Sequence, residues 1–83
     1  MNVRVLFFAR GREVSGTSET DIELLEGADS VALERHLLEK YPGLSEIWNT
    51  CVFARNQEYI KKGDAVPLKD GDEIAVIPPI SGG

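Results

Sequence analysis

The chain is poor in the side chains that most often mark secretion, membrane insertion or disulfide bonding. It has one cysteine, Cys51, among 83 residues, so it cannot form an internal disulfide, and this is typical of a reducing compartment. No run of residues approaches the ~20 apolar residues that span a bilayer. The first residues also lack the apolar core of a signal peptide. From these absences we expect a soluble cytoplasmic (cytosolic) protein that has no membrane partner.

Basic residues are in the minority. Nine Lys and Arg stand against 14 Asp and Glu, and the net charge is −5. Binding to nucleic acid phosphates needs a basic surface, so nucleic acid is not expected as a partner. A chain of 83 residues is long enough for one small domain with a modest core. We expect the stability of this domain to depend in part on binding to a partner.

Candidate catalytic and metal-binding groups are equally scarce. His36 and Cys51 could in principle form a dyad, but nothing in their spacing supports one, and we interpret them as a helix-surface histidine and a strand cysteine. The acids Asp70, Asp72 and Glu73 do not have the spacing of a calcium loop and are interpreted as turn residues. The glycines form no phosphate-binding loop. We therefore expect no metal and no permanently bound cofactor.

Alternation of apolar and polar residues predicts a mixed sheet of about five strands, over residues 2–9, 19–25, 50–55, 59–60 and 73–77. A polar loop is predicted over 10–18 and one helix over 31–40, capped by Asp29 or Ser30. The first and last strands are the most apolar, so both should be central. One helix can cover one face of such a sheet, and the fold class is therefore predicted as α+β.

The last residues of the chain form an unusual segment. After the apolar strand that ends at Ile77, two prolines stop the sheet and hold the backbone extended. We predict a folded domain over 1–77 and a flexible, extended tail over 78–83 that reaches on the order of 20 Å and carries its carboxylate into a pocket of another protein. The tail residues are Pro78, Pro79, Ile80, Ser81, Gly82 and Gly83. The simpler alternative is a disordered end without function.

One apolar surface is predicted on the side of the sheet that the helix leaves open. By strand parity its members are Leu6, Phe8, Ala75 and Ile77, with Tyr59 beside them. A cluster of this size is typical of a protein interface. The alternative is a face that loops cover.

Several stretches closely resemble the small sulfur-carrier subunit family of molybdopterin synthase, and the resemblance covers the whole chain. They are Val5-Leu6-Phe7-Phe8-Ala9, Tyr41-Pro42-Gly43-Leu44, Asn56-Gln57-Glu58-Tyr59 and the closing stretch from Asp70 to Gly83. The ending Pro-Pro-x-Ser-Gly-Gly is the most specific of them, because other Gly-Gly carriers and modifiers usually lack it. The resemblance implies a ubiquitin-like β-grasp fold.

The resemblance also implies a mechanism. An E1-like adenylyltransferase/sulfurtransferase would use ATP to adenylate the Gly83 carboxylate, and a persulfide would convert it to a thiocarboxylate. The sulfur would then pass to cyclic pyranopterin monophosphate on the large synthase subunit, in a heterotetramer of two small and two large subunits. The carrier would be a non-catalytic, sulfur-donating subunit, because catalytic residues would lie on the large one. Leu6, Phe8, Tyr59, Ala75 and Ile77 would contact the partners.

Two other functions stay open from the sequence. A ubiquitin-like modifier, or a sulfur carrier of the thiamine or tRNA thiolation type, would share the activation of Gly83 but have a different acceptor. A β-grasp interaction domain without a covalent role would not be activated at all.

Overall fold

The computed structural model describes residues 1–61 and 63–78. Strand β1 (Asn2–Phe7) is followed by helix α1 (Arg10–Ser15), strand β2 (Glu19–Glu23) and helix α2 (Ser30–Lys40). A 3₁₀ helix (Pro42–Glu46) then leads to strands β3 (Val52–Arg55), β4 (Glu58–Ile60) and β5 (Glu73–Ile77).

Within these residues the strands form one five-stranded sheet in the order β2-β1-β5-β3-β4. β1 and β5 are parallel, while the pairs β1–β2, β3–β4 and β3–β5 are antiparallel. The predicted mixed sheet is confirmed, and so is the central position of the first and last strands. They are central because both bury apolar side chains, which an edge strand has less room to do.

The inner face of the sheet holds the core. Val3, Val5, Ile74 and Val76 are fully buried there, and Leu37 of α2 packs in the same cluster. The alternation predicted for β1 is therefore correct, since its odd-numbered residues point to the helix. The other residues of this cluster are Phe7, Ile22, Leu33, Leu44, Ile47, Cys51, Phe53 and Leu68.

Helix α2 begins and ends at the predicted signals. The Asp29 carboxylate accepts a hydrogen bond from the Ala32 N–H at 3.0 Å, which satisfies one free donor of the first turn. At the other end, the Tyr41 N–H donates to the Leu37 carbonyl, and Pro42 then begins the 3₁₀ helix. Buried Leu33 and Leu37, four residues apart, give the helix its apolar stripe.

The polar loop predicted over 10–18 was wrong, because residues 10–15 form helix α1. Its sequence hides the helix, since Gly11 lowers helix propensity in the first turn and Val14 is its one large apolar residue. The fold stabilises it nonetheless: Gly11 is buried, and Val14 packs on the core. Gly16 ends it in a left-handed conformation, φ 80°, which glycine adopts without strain.

The structure shortens the first three predicted strands, lengthens β4 by one residue to Glu58, and joins β3 to β4 by a tight turn. β1 ends at Phe7 and β2 at Glu23, two residues before each predicted end. The β3–β4 hairpin turns at Asn56 and Gln57, both with positive φ (49° and 72°). Two successive positive φ values are the signature of a type I′ turn, whose twist matches the flanking strands.

Candidate functional site

The candidate site lies on the outer face of the sheet, defined as the side opposite α2. The strand registers place Leu6 beside Ala75, Ala75 beside Ala54, and Ala54 beside Tyr59. Four strands thus contribute to one transverse row. Leu6, Ala75 and Tyr59, three of the predicted interface residues, lie in this row.

The other two predicted interface residues lie at one end of that row. Ile77 is two positions beyond Ala75 on β5, and side chains two apart share a face. Phe8 follows directly after β1, whose last pair with β5 is Phe7 with Val76. Phe8 is 47% exposed and Tyr59 77% exposed, which is high for aromatic residues. The structure therefore brings all five predicted residues to one surface.

Sequence reasoning missed two members of this surface, Val52 and Ala54. Val52 is 45% exposed and pairs with Ile77 across β3 and β5. The sequence signal was strand alternation: if Phe53 faces the core, its two neighbours face the other way. The structure shows Phe53 fully buried. We call the apolar part of the outer face the docking patch. Its members are Leu6, Phe8, Val52, Ala54, Tyr59, Ala75 and Ile77.

The opposite end of the outer face is polar. Arg4 lies between Asp21 on β2 and Glu73 on β5, and its Nε is 3.5 Å from an Asp21 carboxylate oxygen. A cleft of about 210 Å³ opens there, lined by Asn2, Arg4, Asp21, Gly71 and Glu73. The outer face is thus divided into a polar end and the docking patch.

A hydrogen-bond network anchors the start of β5, the strand that leads to the tail. The Asp72 carboxylate accepts from Asn56 Nδ2 at 3.0 Å and from the Lys69 N–H at 2.8 Å, while Asn56 Oδ1 accepts from the Glu73 N–H. Burial raises the pKa of Asp72, but these hydrogen bonds and the charges of Arg55 and Lys69 outweigh burial, so its pKa lies below the ordinary value. The carboxylate is therefore held ionised in a buried position.

The segment after β1 turns sharply beside the docking patch. Ala9 has φ 50° and ψ −122°, a conformation that favours glycine, and the Gly11 N–H donates to the Phe8 carbonyl at 2.9 Å. Arg10 pairs with Glu13 and Glu46, both at 3.1 Å. The hydrogen bond to Glu13 and the charge of Glu46 raise the pKa of Arg10. The turn directs the chain into α1 and leaves Phe8 at the surface.

The alternative chemical groups are not brought together. His36 is exposed on α2, whereas Cys51 is buried and its Sγ donates to the Trp48 carbonyl at 3.5 Å. Asp70 accepts a hydrogen bond from the Asn2 N–H, and Asp72 takes part in the network at β5, so these acids act as turn residues. In residues 1–61 and 63–78, no group of three or more His, Cys, Asp or Glu could hold a metal ion.

The tail begins at the end of β5 that carries Ile77. Pro78, its first predicted residue, is buried. Pro79, Ile80, Ser81, Gly82 and Gly83 lie outside the described residues. β5 runs parallel to β1, so Ile77 and Phe8 lie at the same end of these two neighbouring strands. Residue 78 therefore follows directly on the docking patch.

No helix in the described part of the chain is both long and apolar enough to cross a membrane.

Comparisons with known proteins agree with this geometry. The model of the ThiS family matches residues 5–83. The molybdopterin synthase sulfur carrier subunit of Chlamydomonas reinhardtii is 48% identical over 83 residues, covering 100% of both chains. The structure of SAMP1 from Haloferax volcanii superposes with a TM-score of 0.87 at 26% identity and covers 100% of both chains.

A further solved structure is a complex. It contains subunits 1 and 2 of the molybdopterin-converting factor of Helicobacter pylori. The matched chain is 31% identical, with a TM-score of 0.71 and 100% of each chain covered.

The five-stranded mixed sheet of the described residues, with its one long helix, is the ubiquitin-like β-grasp fold that the sequence predicts. With its uncovered docking patch, it defines a small β-grasp protein of the sulfur-carrier class. The chain belongs to the ThiS family, and its relatives include molybdopterin synthase sulfur carrier subunits.

Proposed function

We propose that this chain is the sulfur-carrying subunit of a molybdopterin synthase, and that the Gly83 carboxylate carries the sulfur. The full-length likeness to the Chlamydomonas reinhardtii carrier subunit supports this function. The observation that carries the proposal is the position of the docking patch. It surrounds the end of β5, so a partner seated on it would lie where residues 78–83 begin.

The chemistry starts from a poor electrophile, because a carboxylate resists attack at its carbon. In the proposed sequence an oxygen of Gly83 attacks the α-phosphate of ATP on an E1-like enzyme, and pyrophosphate leaves. The terminal sulfur of a persulfide then attacks the carbonyl carbon, and AMP leaves. A thiol of the donor system cleaves the resulting acyl disulfide, so the donor is left as a disulfide and Gly83 as a thiocarboxylate. Sulfur is thereby held as a nucleophile on this chain.

Sulfur would next be delivered on the large subunit, where the thiocarboxylate sulfur attacks a carbon of cyclic pyranopterin monophosphate and displaces an oxygen substituent. Water would then cleave the resulting thioester, so that the sulfur stays on the pterin and Gly83 returns to a carboxylate. Two small and two large subunits would form the working heterotetramer. In this proposal the described part of the chain supplies binding and positioning, while acid–base groups come from the partner. Gly82 and Gly83 suit a narrow channel, because a Cβ would restrict φ and widen the segment.

The E1-like enzyme and the large subunit would use the same docking patch in turn. Both must reach Gly83, and the patch is the apolar surface next to the start of the tail. The two complexes would therefore be mutually exclusive. A competition assay tests this: the large subunit should displace the carrier from its activating enzyme.

The direct test is the intact mass of the protein after co-expression with its activating enzyme and sulfurtransferase. We expect the mass increase of one oxygen exchanged for one sulfur, located by fragmentation at Gly83. Deletion of Gly83 should abolish the exchange and shift the melting temperature by no more than about 2 °C, since a surface tail contributes little to stability. An inactive activating enzyme is the control. An unmodified wild-type protein under active conditions would overturn the proposal.

A second candidate function is a ubiquitin-like protein modifier. The likeness to SAMP1, the small archaeal modifier protein 1 of Haloferax volcanii, favours it. In that case the activated Gly83 carboxylate would form isopeptide bonds with lysines. Adducts of higher mass in extracts, lost on deletion of Gly83, would support it, whereas free thiocarboxylate supports the sulfur carrier. A pure interaction domain would form no acyl-adenylate with the enzyme and ATP.

A further inference from the structure

The centre of the docking patch is occupied by the two smallest side chains of its transverse row. Ala54 on β3 and Ala75 on β5 are direct neighbours. Leu6 flanks Ala75 on one side, and Tyr59 flanks Ala54 on the other. Neighbouring strands are about 4.8 Å apart, so these side chains form a continuous surface. Its middle is lower than its rim, because an alanine side chain ends at Cβ.

The exposures agree with a depression. Ala54 is 5% exposed, yet it does not belong to the core cluster on the inner face. The helical residues Leu33, Leu37 and Leu44 all pack in that inner cluster. Ala54 is therefore shielded by its larger neighbours on the outer face. We call Ala54 and Ala75 the alanine floor.

Two of the side chains around the floor, Val52 and Tyr59, are solvent-exposed, while Leu6 and Ile77 are partly buried. Val52 and Ile77 form the next cross-strand pair on the same face, and Val52 is 45% exposed. Tyr59 is 77% exposed. A flat partner surface would rest on this rim and leave a gap above the floor. Atoms beside such a gap lose their dispersion contacts, whereas stable interfaces pack as densely as protein interiors.

We propose that the alanine floor is a socket for one protruding apolar side chain, such as Leu, Met or Phe, of the synthase large subunit. The inference rests on the proposed function and specifies how that partner is recognised. The related Helicobacter pylori chain is found in a complex of subunits 1 and 2, which supports this choice of partner. Binding energy at interfaces concentrates where an apolar anchor fills a central pocket.

A second copy of this chain fits the floor poorly. Two copies paired about a two-fold axis through the floor would bring two depressions together, because such an interface uses the same surface on both sides. Rim would meet rim, and a void would remain between the floors. The large subunit is therefore the occupant that the shape favours.

The test asks whether a larger side chain at position 75 strengthens or weakens binding to the large subunit. Ala75→Leu adds apolar area to the patch, so a flat, purely hydrophobic contact would be strengthened or unchanged. Filling a socket instead excludes the partner's side chain, and overpacking should weaken binding by about tenfold or more. We would measure the Kd for the large subunit from the same organism by titration calorimetry. Unchanged or tighter binding of Ala75→Leu would overturn the socket.

A matched control and a graded variant complete the design. Ala65→Leu makes the same change at an exposed loop position and should leave the Kd within about twofold. Ala75→Val, a smaller change that suits a strand, should weaken binding less than Ala75→Leu. Both variants of Ala75 should melt within a few degrees of the wild type, which separates lost binding from lost folding.

Two further results separate the socket from the function it rests on. If Phe8→Asp weakens binding but Ala75→Leu does not, the docking patch stands and the socket is wrong. If neither weakens binding, the patch itself is misassigned. Sedimentation of the isolated chain tests whether a second copy of this chain occupies the floor. A dimer that Ala75→Leu dissociates would assign the floor to that second copy and overturn the proposal.

Discussion

The two faces of the sheet are built from the same strands but differ in burial. On β5, Ile74 and Val76 are fully buried against the helices, whereas Ala75 and Ile77, the residues next to them, are only partly buried. On β3, Phe53 is buried and Val52 is 45% exposed. Strand alternation thus places core residues and residues of the proposed docking surface at neighbouring positions of one strand. Substitutions on the inner face should affect folding, and those on the outer face should affect association.

The largest expected effect on folding is at the centre of the inner face. Leu37 has no exposed surface, and Leu37→Ala should lower the free energy of unfolding by about 2–5 kcal/mol, because it removes buried methyl groups and leaves a cavity. Leu25 is 86% exposed, and Leu25→Ala should change the free energy of unfolding by less than about 0.5 kcal/mol. Urea denaturation of both variants checks the pair. Similar losses would mean that the core is misplaced.

A smaller loss is expected where α1 packs on the 3₁₀ helix. A Cβ at Gly43 would lie 2.9 Å from the Val14 carbonyl oxygen, so Gly43→Ala should cost about 1–3 kcal/mol. At Gly11 the closest atom would be the Ile47 Cδ1 at 3.7 Å, an ordinary contact. Gly11→Ala should therefore be neutral or stabilising, as for alanine in a helix. Thermal unfolding distinguishes the two, and a tolerated Gly43→Ala would contradict the close approach.

The stability that Asp72 contributes at the start of β5 should depend on pH. Asp72→Ala leaves Asn56 Nδ2 and the Lys69 N–H without their acceptor and should cost about 1–3 kcal/mol at neutral pH. The folded-state pKa of Asp72 is lowered, so its stabilisation is complete above the unfolded value near 4 and is lost as pH falls through the folded pKa.

Urea midpoints between neutral pH and strongly acidic pH measure this difference. The wild type and Asp72→Ala should converge in acid. Asp21→Ala serves as control, because Asp21 is an exposed acid whose ion pair with Arg4 should contribute little at any pH. A constant difference between wild type and Asp72→Ala would show that the charge of Asp72 is not responsible.

The smallest effect on folding, and the clearest effect on association, is expected at Phe8. Phe8→Asp should change the free energy of unfolding by less than about 0.5 kcal/mol, because the ring is 47% exposed and outside the core. The Kd for the large subunit should rise about 30-fold or more, since a charge would enter an apolar contact. His36→Asp, on the exposed side of α2, should bind normally. Normal binding of Phe8→Asp would argue against the docking patch.

Sequence patterns predicted the features that depend on strong alternation. The centrality of β1 and β5, the extent of α2 and the common face of Leu6 and Ala75 all follow from apolar periodicity. Helix α1 did not, because a six-residue helix containing Gly11 has no periodic pattern, and tertiary contacts of Gly11 and Val14 determine it. The alanine floor was also missed, since it depends on the register between β3 and β5, which no single strand encodes.

The tail was predicted from chemistry rather than from periodicity. The two prolines prevent the sheet from continuing, and the two glycines have no side chain that could obstruct a narrow channel. The roles of Gly82 and Gly83 remain predictions that rest on the proposed function.

The parallel pairing of β1 and β5 ties together residues that are about seventy positions apart in the sequence. β5 also separates β1 from β3, so the β1–β2 pair and the β3–β4 pair become one sheet only when residues 73–77 pair with both. Contacts between residues this far apart in the sequence are expected to slow the folding of this domain. The outer face around β5 is therefore complete only when the first strand and the last strand have paired.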